Sequence, residues 1–378
     1  TVSISDFDGR LLPDIEPFET RLDPVTVRKD VDRSFHETHL REIPERFRYI
    51  LDAYSPESDA GGLADALNTR TLHRRFGPHL AGLKRLILVG TGSNLHMAGI
   101  VRSFLLDLMP AMAVDVMRPG DIDIPRRQIL PQQELVVMLS WSSTTAEMVQ
   151  LAQQLLHDKI LMVGITEKRF ADMALAAAKS AGVMPVFSGE EVTIASIKSA
   201  LCTLLCLHLL TAWIGAQKGI IASLDPVFGV VNDLADRIDR LNNAPDVIAF
   251  SKQTAAAMAG ADAIIAVSAP ETAGIGSEAA LKIEEASWYA PSRWHAYGDL
   301  LNMDLARWSP GRFVIVHATQ RRHIDAAAAV IEKLAAAGSD MAVVTCPNRH
   351  QERMQQLCAG RCIVLPWLDD TSPVSYTH

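Results

Sequence analysis

Glu134-Leu-Val-Val-Met-Leu-Ser-Trp-Ser-Ser-Thr-Thr-Ala-Glu-Met148 joins a strand signal, a hydroxyl-rich turn and a helix start. The apolar run to Leu139 reads as a parallel strand buried on both faces, and from Thr145 onward apolar side chains recur at helical spacing. Between them, Ser140, Ser142, Ser143, Thr144 and Thr145 put five hydroxyls into six positions. Free backbone N–H groups and the positive end of the helix dipole already favour an anion at such a junction, and hydroxyls add donors without adding charge. Capping and turn formation account for one or two of them. The excess predicts an anion site, with phosphate as the expected guest.

Outward from this stretch, strands and helices alternate. Strands are predicted at 85–89, 114–117, 134–139, 160–165 and 184–187, and helices at 94–108, 146–157 and 170–181. A long apolar helix at about 194–216 and a helical linker at 227–241 lead to a second series. It has strands at 263–267, 312–317, 341–345 and 362–365, with helices at 276–288 and 324–337. Such alternation predicts an α/β fold of two tandem units, each a parallel sheet flanked by helices in doubly wound, flavodoxin-like order. The two series suggest an internal duplication. Expected boundaries are an N-terminal arm or surface helix over 1–60, with the helix itself at about Arg41 to Tyr54, a first unit with the phosphate loop over 61–220, and linker helices with a second unit over 221–378.

Composition narrows the function. With 48% hydrophobic and 21% charged residues in 378, core material suffices for two domains. A net charge of −8 and a pI near 5.8 argue against nucleic-acid and anionic membrane partners. The five cysteines, Cys202, Cys206, Cys346, Cys358 and Cys362, lack metal-ligand spacing and suit reduced thiols in the cytoplasm. The apolar run Ala200 to Ala216 is only about 17 residues, contains His208 and is flanked by Lys198 and Lys218, so a buried helix is expected.

Two more segments join the opening stretch. Val89-Gly-Thr-Gly-Ser-Asn-Leu-His96 turns tightly after the first strand but lacks the full dinucleotide-binding glycine spacing. Gly189-Glu-Glu-Val-Thr-Ile-Ala-Ser-Ile-Lys198 runs from a strand end into the long helix. Further on, Glu278, Lys282 and Glu285 stand at i, i+4 and i+7 and share one helical face, whereas Glu284 points elsewhere. A carboxylate beside an ammonium suits proton transfer next to a carbonyl, although the same spacing also serves solvated ion-pair stripes.

Gly90-Thr-Gly-Ser93, Leu139-Ser-Trp-Ser-Ser-Thr-Thr145, Glu191-Val-Thr-Ile-Ala-Ser-Ile-Lys198 and Glu278-Ala-Ala-Leu-Lys-Ile-Glu-Glu285 together resemble the paired sugar-isomerase (SIS) domains of the glucosamine-6-phosphate synthase family. The resemblance covers roughly residues 70 to 370 and implies two tandem SIS domains. It also implies a stand-alone isomerase or deglycase type without a glutaminase domain, so ammonia transfer from glutamine is not expected. The implied activity is aldose–ketose isomerisation of a ketose or amino-sugar 6-phosphate, or the related deamination or deglycation, through an enediol or enamine. A non-catalytic sugar-phosphate-binding regulatory protein is the alternative.

By the same resemblance, Ser93, Ser140, Ser142 and Thr145 bind the sugar phosphate, with Thr91 and Trp141 in the same loops. Backbone at Ile194 and Ala195 and the hydroxyl of Ser196 contact sugar hydroxyls. Glu285 is the implied base, and Lys282 and Glu278 complete the catalytic set. No metal or other cofactor is expected, and a homodimer is. The sequence departs from the family where Trp141 replaces a Gln between the phosphate-binding serines. It departs again where Asn302, which cannot titrate, falls at the ring-opening His. His295, in that region, His96 and Tyr297 are candidate substitutes. The family's further active-site Lys lies in a tail beyond the point where this sequence stops.

Overall fold

The computed structural model describes residues 34–55, 62–122, 132–193, 195–287, 291–308, 310–318, 321–345, 349–357 and 362–366. Helices α1 (Phe35–Tyr54), α2 (Gly62–Ala66) and α3 (Thr69–Phe76) precede the first sheet. Its elements are β1 (Arg85–Val89), α4 (Ser93–Leu108), β2 (Ala113–Met117), β3 (Glu134–Leu139), α5 (Ala146–His157), β4 (Met162–Thr166), α6 (Asp172–Ala178) and β5 (Gly182–Pro185). Helices α7 (Lys198–Gln217), α8 (Asp225–Asn243) and α9 (Pro245–Met258) follow. The second sheet is built with β6 (Ala263–Ser268), α10 (Ala273–Ser287), β7 (Ser292–Ala296), α11 (Tyr297–Asn302), α12 (Leu305–Trp308), β8 (Arg312–Ala318), α13 (Ile324–Ala336), β9 (Asp340–Thr345), α14 (Arg349–Leu357) and β10 (Cys362–Pro366).

The strands run in the orders β2-β1-β3-β4-β5 and β10-β9-β8-β6-β7, with all named pairs parallel. Counted from its own first strand, each sheet has the same order, 2-1-3-4-5. In the first sheet the chain leaves β1 to one side for β2 and returns on the other as β3, so a crevice opens between the carboxyl ends of β1 and β3. Open α/β sheets bind ligands at such reversals.

Alternating side chains place the first sheet between two cores. Leu86, Leu88, Val137 and Leu139 face a core that includes α1, α7 and α8, while Ile87, Val89, Val136 and Met138 face α5 and α6. Burial on both faces explains the unbroken apolar runs of β1 and β3. The apolar helix α7 is long enough by composition to cross a membrane, but most of it is buried among these elements.

Helices α2, α3, α9, α11, α12 and α14 were not expected, and four further features depart from the sequence expectations. The helix expected as an arm or surface element extends to Phe35 and buries Ile43, Phe47, Ile50, Leu51 and Tyr54 in the larger core, so α1 is an integral part of the first unit's packing. Helix α8, expected to belong with the second unit, packs Val227, Val231 and Ala235 into that same core and lies against α1. Strand β7 was not expected, because Ser292-Arg-Trp-His-Ala296 has no apolar run; it is an edge strand paired only with β6 and mostly half-exposed. The long helix starts at Lys198 rather than near Ile194, because the Glu191 carboxylate accepts from the backbone N–H groups of Ile197, Lys198 and Ser199 and fixes the first turn there.

Candidate functional site

The crevice between β1 and β3 deepens into a cleft of about 380 Å³. Thr91, Gly92, Ser93 and Asn94 line it from the β1–α4 turn, and Ser140, Trp141, Ser142 and Thr145 from the β3–α5 turn. The segment entering α7 adds Glu191, Thr193, Ser196, Ser199 and Ala200, and α10 of the second unit adds Glu285. A larger hollow of about 560 Å³ lies beside α1, α2 and β5, but its lining contains none of the predicted residues and none of the clustered hydroxyls.

The five hydroxyls of the opening stretch divide by role. Ser143 is fully buried at φ 56° and its Oγ lies 2.6 Å from Thr166 Oγ1, which in turn donates to the Trp141 carbonyl. Thr144 turns back onto Ser142, with its N–H and its hydroxyl 3.3 and 3.0 Å from Ser142 Oγ. These bonds build the turn. Ser140, Ser142 and Thr145 line the cleft, and Thr145, the N-cap of α5, makes no side-chain cap bond. Its hydroxyl is therefore not committed to the helix. Gly92 caps α4 at φ 53°, a backbone conformation that favours glycine, and so lets the turn bend tightly enough to aim the start of α4 at the same space.

Trp141 is held in place. Its Nε1 donates to Ser188 Oγ at 3.0 Å, and Ser188 is in turn fixed by the Glu167 carboxylate, which accepts from its N–H at 2.9 Å. The Lys168 ammonium sits 4.9 Å from the indole centre and pairs with Glu190. Trp141 thus lines the cleft with its indole fixed by neighbours that lie outside the lining.

Glu285 enters the cleft because α10 docks on α4. Gly99 and Gly274 meet at the crossing, where a Cβ on Gly99 would lie 3.6 Å from Gly274 Cα. Lys282 Nζ donates to Glu285 Oε2 at 2.7 Å and lies 3.4 Å from Glu278 Oε1; the three side chains are 27%, 18% and 15% exposed, in the order Glu285, Lys282, Glu278. The predicted shared helical face is therefore real. Lys282 and Glu278 do not themselves line the cleft, but stand behind Glu285.

The other predicted residues divide. Thr91, Ser93, Trp141 and Ser196 line the cleft; Ala195 is buried beside it and its carbonyl accepts from Thr193 Oγ1 at 3.3 Å; Ile194 lies outside the described residues. His295 and Asn302, the expected ring-opening region, are not in the lining. His295 faces Asp299 at 4.0 Å and the Trp308 ring, and Asn302 Nδ2 donates to the Gly298 carbonyl at 2.9 Å. Tyr297 is likewise committed elsewhere, to the His317 carbonyl. Glu191, Thr193, Ser199 and Asn94 were not predicted as cleft residues. An acidic residue just before a long apolar helix is the signal that could have found Glu191. Among the described residues no group of three or more His, Cys, Asp and Glu side chains is arranged to hold a metal ion.

The turns after β6 and β8 of the second sheet are organised differently: His323 Nε2 lies 3.0 Å from Glu271 Oε2, and the described residues there show none of the first sheet's clustered hydroxyls.

No family model matches the chain. It is 26% identical over 289 residues to glutamine–fructose-6-phosphate aminotransferase [isomerizing] of Symbiobacterium thermophilum, which covers 74% of this chain and 44% of that protein. The chain spans about half the length of the curated relatives it matches. Among solved structures, the C-terminal domain of glucosamine-fructose-6-phosphate aminotransferase from Francisella tularensis superposes with a TM-score of 0.72 at 15% identity, covering 90% of each chain. Tagatose-6-phosphate ketose/aldose isomerase from Escherichia coli does so with a TM-score of 0.66 at 15% identity, covering 90% of this chain and 87% of that one. In sequence and in fold, the chain is similar to the sugar-isomerase (SIS) portion of glutamine–fructose-6-phosphate aminotransferase.

Proposed function

We propose that the protein is a phosphosugar isomerase acting on a ketose or amino-sugar 6-phosphate. One observation carries this reading: Glu285, from the second unit, reaches the same cleft as the hydroxyls of Ser93, Ser140, Ser142 and Thr145 from the first. In this reading the hydroxyls and the starts of α4 and α5 hold the phosphate, and Thr193 and Ser196 meet the sugar hydroxyls. Glu285 takes the proton from the carbon beside the carbonyl. The C–H electron pair becomes the C=C bond of an enediol, or of an enamine from an amino sugar, and the carbonyl oxygen takes a proton from solvent. Glu285 then returns its proton to the former carbonyl carbon while the neighbouring hydroxyl gives its O–H proton to solvent and becomes the new carbonyl; in an amino sugar the neighbouring amine loses an N–H proton instead and becomes an imine, which water hydrolyses to the carbonyl with release of ammonia. The Lys282 ammonium, 2.7 Å from Glu285 and behind it, holds the carboxylate in its orientation toward the cleft. The similarity to an isomerising aminotransferase and the fold shared with a ketose/aldose isomerase support the assignment.

The test is solvent deuterium entry at C1 or C2 of fructose 6-phosphate, tagatose 6-phosphate or glucosamine 6-phosphate, followed by NMR. Incorporation that Glu285→Gln abolishes is the expected result. Sugar-phosphate binding by thermal shift without any exchange would replace this reading with a second one, a sugar-phosphate-binding regulatory protein. That second reading is favoured by the position of His295 and Asn302 outside the lining. We also propose a homodimer as the working form, in which a second copy supplies groups the single-chain cleft does not gather; sedimentation of the purified chain as a monomer would remove that part.

A further inference from the structure

The charged row on α10 continues past Glu278. Glu278 Oε2 lies 2.9 Å from Nδ1 of His96, in the first turn of α4, three residues after the cleft-lining Ser93. The chain of contacts therefore runs His96, Glu278, Lys282, Glu285, and crosses from the first unit to the second. A carboxylate can only accept, so Nδ1 carries the hydrogen and donates. Side chains along the row are 15–27% exposed, so its charges are only partly screened by water.

Lys282 stands between two carboxylates that compete for it, Glu285 at 2.7 Å and Glu278 at 3.4 Å. A hydrogen bond to Oε2 anchors the far oxygen of Glu278 and draws its charge away from Lys282, which leaves the ammonium committed to Glu285. Without that bond Glu278 is free to close on Lys282 and pull it away from the cleft.

We propose that His96 is a positioning residue that, through Glu278, keeps Lys282 on Glu285. The proposal rests on the reading of Glu285 as the proton-transfer carboxylate.

Two variants separate this role from packing. His96→Leu removes the donor and keeps bulk, whereas His96→Asn keeps a donor near the Nδ1 position. The first readout needs no substrate: the side-chain NMR signal of Lys282 in protein labelled with 15N-lysine, assigned by Lys282→Arg. It is expected to move in His96→Leu and to stay in place in His96→Asn. A signal unmoved in His96→Leu, or moved equally in both, overturns the proposal. The second readout is the rate of deuterium exchange. His96→Leu is expected to lower kcat about tenfold with KM within about twofold of the parent, and His96→Asn to restore kcat. A loss confined to KM also overturns it. Should His96→Leu fail to fold, His96→Ser, too short to reach Glu278, takes its place with the same expected outcomes. If the parent protein exchanges none of the sugar phosphates, the proposed function falls while the lysine signal still decides the role of His96.

Discussion

Gly274 of α10 rests directly on the backbone of His96 of α4: a Cβ on Gly274 would lie 2.5 Å from the His96 carbonyl oxygen and 2.8 Å from Ile100 N. Both are backbone atoms with no rotamer to give way. The approach that brings Glu285 to the first unit's cleft therefore depends on the absence of one methyl group.

Gly274→Ala is expected to push α10 off α4 at a cost of about 1–3 kcal/mol. A fall in Tm should accompany loss of deuterium exchange, with sugar-phosphate binding less affected because the phosphate loops are left intact. Unchanged Tm and exchange would show that the helices tolerate separation.

Within the 140–145 turn, neighbouring hydroxyls should behave oppositely. Ser142→Ala combined with Thr145→Ala is expected to abolish the thermal stabilisation given by sugar phosphates and to lower the unliganded Tm less than Ser143→Ala does, because the Thr144 bonds to Ser142 Oγ that it removes are exposed. Ser143→Ala, which breaks the buried contact with Thr166, is expected to cost about 1–2 kcal/mol without ligand. Thermal shift with and without ligand reads both; the reverse pattern would sink the division of roles.

Trp141→Gln restores the residue type that the resemblance places between the phosphate-binding serines. It also removes the indole held by Ser188 and Lys168. The expected outcome is a reordered preference across a panel of ketose and amino-sugar 6-phosphates, ranked by thermal shift. An unchanged ranking would mean that Trp141 does not select the ligand.

Acidification should destabilise the fold in two steps. Burial holds His208 and His317 down at about 4, from an ordinary 6.5, so the folded protein keeps them neutral while the unfolded chain takes up protons. Their contribution is complete above pH 6.5 and is lost as pH falls toward 4. The slope is about 1.4 kcal/mol per pH unit for each histidine. Burial alone would raise the Glu42 carboxyl, but Lys198 and then His39 outweigh it and hold it below its ordinary 4.5. Its contribution is present above 4.5 and disappears as pH falls through the lowered value. Tm against pH checks this: His208→Leu with His317→Leu should flatten the upper step and leave the lower one, which Glu42→Gln should remove.

The first sheet was readable because β1 and β3 are buried on both faces and leave continuous apolar runs, and the 140–145 turn was readable because its hydroxyl density is local. Strand β7 was not, since an edge strand paired on one side needs no apolar run, and Ser292-Arg-Trp-His-Ala296 has none. The packing of α1 and α8 into the first core was equally hidden, because an amphipathic helix shows which face it buries but not against what. Glu278, Lys282 and Glu285 could be aligned by helical spacing alone. The contact between His96 and Glu278 joins positions 182 apart, and no period or motif announces it.

Glu191 gives the cleft an electrical polarity. Three helix starts surround the space, and the one at α7 is already neutralised by that carboxylate, which accepts from three backbone N–H groups and the Ser199 hydroxyl. A dianion entering the cleft meets a helix start with no acidic side chain in its first turn at α4, one with Glu147 in its first turn at α5, and a carboxylate bonded directly to the helix N–H groups at the third. End-for-end binding is thereby disfavoured by an ion the chain carries itself. Under the proposed function, the ligand's heading, and with it the carbon presented to Glu285, is set by repulsion at one wall as much as by attraction at the other.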